Sequence, residues 1–243
     1  MADLRPGFFW DERCFWHSGG NYALTAPVGG LVQPLAAGGL PESPETKRRL
    51  KNLMDVTGLS GAFDCRSAPE ATREDLCRIH PASYLDRFAE LSAAGGGELG
   101  ERTPFGPGGY GIAALSAGLA ATAIEEVAAG RLLRAYALSR PPGHHCLPDR
   151  PMGFCLLANI AIGLERARAQ GLAKRVAVVD WDVHHGNGTE AIYRDDGDTL
   201  TISIHQEGNY PWGSGACAAD TPGVLNLPLP PGAGHETYID AMD

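Results

Sequence analysis

The chain has 243 residues, 44% of them hydrophobic and 20% charged, a globular composition that excludes a disordered, collagen-like or wholly coiled-coil protein. That length suits one large domain or two small ones and is enough to bury a substantial core. Its 20 basic and 29 acidic residues give a formal charge of −9, and with no basic stripe the pattern argues against direct nucleic-acid binding.

Residues 1–44 are rich in Gly and Pro and show no period, so they read as an irregular arm, with Phe8, Phe9, Trp10 and Trp16 packed on the body. The stretch from Ser43 to Gly58 reads as a capped helix, with Ser43 as N-cap, Pro44 in the first turn and Gly58 as the stop. Leu50, Leu53 and Met54 are spaced as one buried helical face. Residues 81–93 predict a second short helix, followed by a long flexible loop through GGGELGERTPFGPGGYG. Residues 112–129 are Ala-rich and helical, with small residues suited to close packing on a sheet. RAYALS (134–139) reads as a buried strand, 156–169 as a helix, and RVAVVDWD (175–182) as a central parallel strand. TLTISIH (199–205) is a further strand, and the remainder is loop-rich. Strands alternating with helices predict an α/β fold with a mainly parallel sheet, helices on both faces and long loops at the strand C-terminal ends, where ligands sit.

No run of 18 or more apolar residues occurs, so no membrane span is expected. The N-terminus carries charge and lacks the apolar core of a secretory signal. The six cysteines are scattered without a CxxC pair and read as reduced thiols, which places the protein in the cytoplasm.

Two clusters carry chemistry. In Asp180-Trp181-Asp182-Val183-His184-His185-Gly186-Asn187-Gly188, strand alternation puts Asp180, Asp182 and His184 on one side. Carboxylate oxygen and imidazole nitrogen both bind zinc at about 2.0–2.2 Å, which requires the strand end to bend so that the donors converge. A solvated acidic turn is the other reading of this cluster. In Arg140-Pro141-Pro142-Gly143-His144-His145, the prolines stiffen a loop that presents two histidines, residues that titrate near neutral pH and suit proton transfer. A pair of exposed loop histidines is the alternative.

RPPGHH, MGFC (152–155), VDWDVHHGNGT (179–189) and TISIH (201–205), in this order, resemble the histone deacetylase superfamily, and the Trp and GNG forms resemble its class II branch with the bacterial deacetylase-like amidohydrolases. The resemblance implies an arginase/deacetylase-like fold over a single domain, 1–243. It implies a zinc-dependent deacetylase acting on acetyl-lysine peptides or acetylpolyamines. Asp182 and His184 would be zinc ligands. His145 would be the general base and acid, with His144 as its electrostatic partner. Asp180 and Asn187 would orient His144 and His145. Phe154 and Tyr210, with Gly153, would wall the acyl-lysine tunnel, and Glu98 would hold the substrate backbone. The carbonyls of Asp180, Asp182 and His184, with Ser203, would form a monovalent-cation site for potassium. A homo-oligomer is compatible with the same resemblance.

The family's third zinc ligand, an aspartate in a GFD-type segment, and its carbonyl-polarising tyrosine in an EGGY-type segment do not occur before Asp243. Asp220, His235 and Asp240 are the residues left that could substitute, without support from spacing. The chain therefore resembles the first two-thirds of a deacetylase domain. Alone, it is expected to have little or no deacetylase activity. A non-catalytic acyl-lysine-binding relative is the competing reading, and an arginase-like two-metal hydrolase a weaker one.

Overall fold

The computed structural model describes residues 5–20, 22–23, 26–27, 31, 41–217 and 221–243. The first half of the chain contains β1 (Gly7–Trp10), β2 (Tyr22–Ala23), β3 (Ala26–Pro27), α1 (Pro44–Val56), β4 (Asp64–Arg66), α2 (Arg73–Cys77), α3 (Ala82–Ala93), β5 (Gly97–Glu98), β6 (Pro104–Phe105) and α4 (Gly109–Ala128). The second half contains β7 (Ala135–Leu138), α5 (Asn159–Ala169), β8 (Val176–Asp180), α6 (Asn187–Tyr193), β9 (Thr199–Gln206), β10 (Val224–Leu229) and α7 (His235–Met242).

The parallel pairing forms two three-stranded sheets, ordered β4-β1-β7 and β10-β9-β8. This corrects two expectations. The supposed irregular arm supplies β1, the middle strand of the first sheet. Four residues are too few to show a period, and pairing with segments more than fifty residues away makes them a strand. β8 lies at the end of its sheet, and β9 is the middle strand. Among the described residues β7 and β8 each leave one edge unpaired, and a cleft of about 950 Å³ is lined by Ala135 and Ala137 of β7 together with Ala177 and Val179 of β8. On the second sheet, the apolar side chains of Val179, Leu200 and Leu225 stay exposed.

α1 begins as expected: the Ser43 hydroxyl accepts from the Glu45 N–H at 3.2 Å and Pro44 occupies the first turn. Its expected apolar face is only partly used. Met54 is buried, but Leu50 and Leu53 are exposed. Long cationic side chains cover the neighbouring rings instead, with the Lys51 ammonium 4.5 Å from the Trp10 ring centre. β7 likewise is not fully buried, because Tyr136 stands half exposed and stacks on Phe8.

α4 is 20 residues long and apolar enough in length and composition to cross a membrane. Here much of it is buried in the body of the protein, and its small residues let α5 approach. A Cβ at Gly163 of α5 would sit 2.9 Å from the Ala121 Cα. The expected partner was a sheet; α4 does pack on β1 and β7, but its largest interface is with α5. The loop between α3 and α4 is ordered by the antiparallel β5–β6 pair, Gly97 with Phe105 and Glu98 with Pro104.

His80 ties this helical layer to the loop that precedes α5. Its Nδ1–H donates to the Pro148 carbonyl at 2.7 Å, and its Nε2 accepts from the Ala158 N–H at 3.1 Å. Both ring nitrogens are used in the neutral form, and burial holds the pKa down, from 6.5 to about 4. The unfolded chain takes up this proton near 6.5 and the folded chain does not. The stabilisation is therefore complete above pH 6.5 and is lost as pH falls towards 4, at about 1.4 kcal/mol per pH unit. In urea titrations, His80→Phe should lose roughly 1–3 kcal/mol at pH 8 by leaving two buried polar groups unpaired. Its stability should then fall less steeply between pH 6.5 and 4.5 than that of the wild type; parallel slopes would contradict this assignment.

Candidate active site

The loop after β7 is held from three sides. The Arg140 guanidinium, 1% exposed, donates to the Glu42 carboxylate at 2.7 Å and to the His17 carbonyl at 2.6 Å. The Pro141 carbonyl accepts from the Ser116 hydroxyl at 2.8 Å and from the Asn159 amide at 3.0 Å. His144 and His145 follow with ring centres 3.9 Å apart.

The two imidazoles have different partners. His144 Nδ1–H donates to Asp180 Oδ2 at 2.9 Å, and His145 Nδ1–H donates to Asn187 Oδ1 at 2.8 Å. Burial disfavours charge on His144, but the Asp180 carboxylate outweighs it and the pKa rises. Burial acts the same way on His145, the neighbouring His144 adds to it, and the neutral amide of Asn187 compensates little, so the pKa falls to about 3. One ring is biased towards the cation. The other is neutral at pH 7, with its Nδ1 hydrogen engaged and its Nε2 lone pair available.

β8 ends at Asp180, and the chain bends there as converging donors require. Asp180 Oδ1 accepts from the Asp182 N–H at 3.0 Å, and Asp182 Oδ1 from the His184 N–H at 2.8 Å. These are two successive turns closed by aspartate side chains. They bring Asp182 Oδ1 to 2.9 Å from His184 Nδ1. Burial would raise the Asp182 pKa, but the His184 contacts and the nearby His144 hold it well below the usual carboxylate range. The next residues return beneath: Gly186 N–H donates to Ser203 Oγ, and a Cβ at Gly186 would collide with Asp180 Oδ2.

Aromatic walls stand around this group. The Tyr210 ring is 5.1 Å from His145 and 6.2 Å from His184, edge to face in both cases. Tyr210 is 8% exposed, and its hydroxyl has no partner among the described residues. Phe154 packs edge-on against Tyr22. Glu98 is exposed on β5, with one carboxylate oxygen accepting from the Thr103 N–H at 3.1 Å. Ser203 lies on β9 opposite Asp180, its hydroxyl shared between Gly186 and His205. His144, His145, Asp180, Asp182, His184, Asn187 and Tyr210 thus converge; for Phe154 the ring contact is with Tyr22, and for Glu98 the hydrogen bond is with Thr103.

No third His, Cys, Asp or Glu joins Asp182 and His184 among the described residues. His235 and Asp240 are exposed on α7, and Asp220 lies outside the described residues. Sequence reading assigned no role to several residues that order the site. Arg140, Ser116 and Asn159 fix the histidine loop. Cys155 accepts the His145 N–H at 3.4 Å. His185 bridges Glu190 at 2.9 Å and Ser214 at 3.0 Å, tying α6 to the loop that carries Tyr210.

The parallel α/β frame carries a cluster of carboxylates and paired histidines at the ends of β7 and β8. Residues 40–243 match the histone deacetylase domain, and the chain belongs to the histone deacetylase family. It is 58% identical to the histone deacetylase-like amidohydrolase of Pseudomonas aeruginosa over 98% of this chain and 64% of that protein. It is 37% identical to a probable deacetylase of Archaeoglobus fulgidus over 84% of this chain and 58% of that one. Among solved structures, the HDA15 HD domain superposes with a TM-score of 0.82 at 30% identity, over 98% of this chain and 67% of that one. An acetylpolyamine aminohydrolase from Burkholderia pseudomallei gives 0.79 at 26% identity, over 98% of this chain and 76% of that one. The chain spans less than two-thirds of the length of these two curated relatives.

Gly153 tests how tightly the site is built. Its φ is +56°, and a Cβ there would collide with the His145 ring and lie 3.0 Å from the Tyr210 ring. Gly171 has φ +70° with open space around it. Gly171→Ala should cost only the backbone strain, about 1 kcal/mol, whereas Gly153→Ala should cost roughly 1–3 kcal/mol more and shift the His145 ring resonances. Equal losses in thermal unfolding would show that Gly153 is not packed against the histidine.

Proposed function

We propose that the chain carries the metal-holding and proton-transferring part of a zinc-dependent deacetylase site, acting on acetyl-lysine or a related acetylated amine. The observation that carries this reading is the pair of adjacent imidazoles, one on a carboxylate and one on an amide, beside Asp182 and His184. Their donor chemistry fits zinc: an anionic oxygen and an imidazole nitrogen converge at the end of a strand. They are two donors where catalytic zinc sites use three from protein, so this set fits as part of a site. When bound, zinc supplies a Lewis acid that polarises an acyl carbonyl and acidifies water.

The chain's own residues supply the rest. His145 is neutral at working pH and takes a proton at Nε2, while Asn187 fixes its tautomer without charging it. His144, held towards the cation by Asp180, sets the local charge and favours the return of that proton to the leaving amine. Tyr210 and Phe154, with Gly153 against the His145 and Tyr210 rings, bound an apolar approach suited to an aliphatic acyl-amine stem. Glu98 offers its free oxygen to a substrate backbone N–H. Ser203, in register with Asp180, supports a potassium site shared with the carbonyls of Asp180, Asp182 and His184. Six cysteines without a disulfide agree with a cytoplasmic setting.

A non-catalytic acyl-lysine binder is the second reading, favoured by the missing third donor among the described residues. Metal analysis separates them at the first step. Asp182→Ala should lower bound zinc per chain sharply, and Glu98→Ala should leave it unchanged; equal zinc in the wild type and Asp182→Ala would remove the basis of the metal assignment. The chain alone should turn over an acetyl-lysine peptide slowly at best. Whatever zinc-dependent turnover it has should fall roughly 10²–10⁴-fold in His145→Ala, with zinc retained. Turnover in that variant close to wild type would overturn the role given to His145.

A further inference from the structure

Two non-glycine residues with a left-handed backbone occur among the described residues, Arg102 at φ +57° and Phe154 at φ +66°. They are joined to each other: the Phe154 N–H donates to the Arg102 carbonyl at 2.9 Å, and the Gly153 N–H donates to the Glu101 carbonyl at 2.9 Å. Such a conformation is unfavourable for a side-chain-bearing residue, and it persists where surrounding structure holds it for a purpose. At Arg102 the surroundings are the β5–β6 hairpin, whose turn is braced by Glu98 accepting from the Thr103 N–H and by Thr103 accepting from the Gly100 N–H.

The result is a positioned guanidinium. Its Cζ lies 5.3 Å from the centre of the Tyr210 ring, the wall that also touches His145 and His184. Stacking on an aromatic ring orients the planar fork and leaves its N–H edge free for a carboxylate. Among the described residues, Arg102 has no carboxylate within 4.0 Å and its side chain donates no hydrogen bond, unlike Arg140, which is satisfied by Glu42 and His17. The other charges felt at Tyr210 are Glu101, Arg150 and, from the thiol side, Cys155; Glu98 is felt at Tyr22 beside Phe154. Glu98 is already bonded within its own hairpin, and Glu101 and Arg150 are exposed. Glu101 acts on Tyr210 more strongly than Arg102 does, and Glu98 on Tyr22, so the surroundings carry both signs; Arg102 is the charge stacked on the Tyr210 ring itself.

We propose that Arg102 is a specificity-determining residue that selects acyl-lysine substrates carrying a carboxylate next to the acylated side chain, an acidic peptide, over polycationic acetylated polyamines. This rests on the acyl-amine reading of the cleft given above. A planar guanidinium pairs with carboxylate through two parallel hydrogen bonds, and the same group repels a second ammonium on a polyamine. At a partly exposed rim the effect is modest and weakens with salt.

The experiment uses the full chain loaded with zinc and fluorescein-labelled acetyl-lysine peptides that differ only in flanking residues: Asp, Ala or Lys. Binding is read by anisotropy, with acetylspermidine as an unlabelled competitor. The wild type should bind Asp-flanked peptide roughly 3–10-fold tighter than Lys-flanked peptide, and acetylspermidine should compete least. Arg102→Gly suits the left-handed backbone, so it should melt no lower than wild type while the three affinities draw together. Arg102→Glu should reverse their order, and raising salt should shrink every difference. If the peptides bind the wild type equally, or Arg102→Glu keeps the wild-type order, the proposal for Arg102 is overturned and the acyl-binding cleft stands. If no acetyl-lysine peptide binds the wild type, the cleft reading fails and takes this proposal with it.

Discussion

Two imidazoles with ring centres 3.9 Å apart, one hydrogen-bonded to a carboxylate and the other to an amide, are the contact on which the rest of the site depends. A second positive charge at that distance in a buried site is costly, so the pair shares its protons unequally. Asp180 decides which ring carries charge, and Asn187 decides which nitrogen of the other ring stays bare. Much else in the structure supports this difference. Asp180 must end β8 at the right height, and Asn187 must begin α6 after a bend that passes over Ser203. The histidine loop must stay rigid enough to keep both pairings, which is the work of Arg140, Ser116 and Asn159.

The bend that follows Asp180 links His144 and His145 to Asp182 and His184, the two residues proposed to hold a metal. The carboxylates of Asp180 and Asp182 each take the backbone N–H two residues ahead, so Asp182, a proposed metal ligand, also shapes the turn that presents His184. Asp180 therefore serves both groups, orienting His144 with one oxygen and the turn with the other. Loss of its carboxylate should disturb both together, a coupling that pairwise contacts alone understate. The exposed apolar side chains of Val179, Leu200 and Leu225 lie on the β10-β9-β8 sheet.

Much of the site could be read from sequence because its parts are local. Asp180, Asp182 and His184 follow a β-branched strand at alternate positions, and the stiff Pro-Pro-Gly before His144 marks a presented loop. The capped start of α1 was legible for the same reason, with Ser43 and Pro44 adjacent. What could not be read depends on distant partners. Arg140 meets Glu42 across 98 positions, and β1 is a strand only because β4 and β7 flank it. The order of the strands, which makes β8 terminal, leaves no trace in the strand's own composition. Leu50 and Leu53 fit a buried helical face by period, yet cationic side chains cover the adjacent rings and leave them outside. The left-handed backbone at Arg102 has no local mark, since nothing in GERT asks for it; the hairpin imposes it.

The site depends on the unequal protonation of His144 and His145, and nitrogen chemical shifts of the metal-free chain measure it directly. With both rings labelled with nitrogen-15 and observed at pH 6, His145 should be neutral with its hydrogen on Nδ1, and His144 should carry hydrogens on both nitrogens. Two rings that share one protonation state and titrate together near 6.5, or a charged His145 beside a neutral His144, would contradict it.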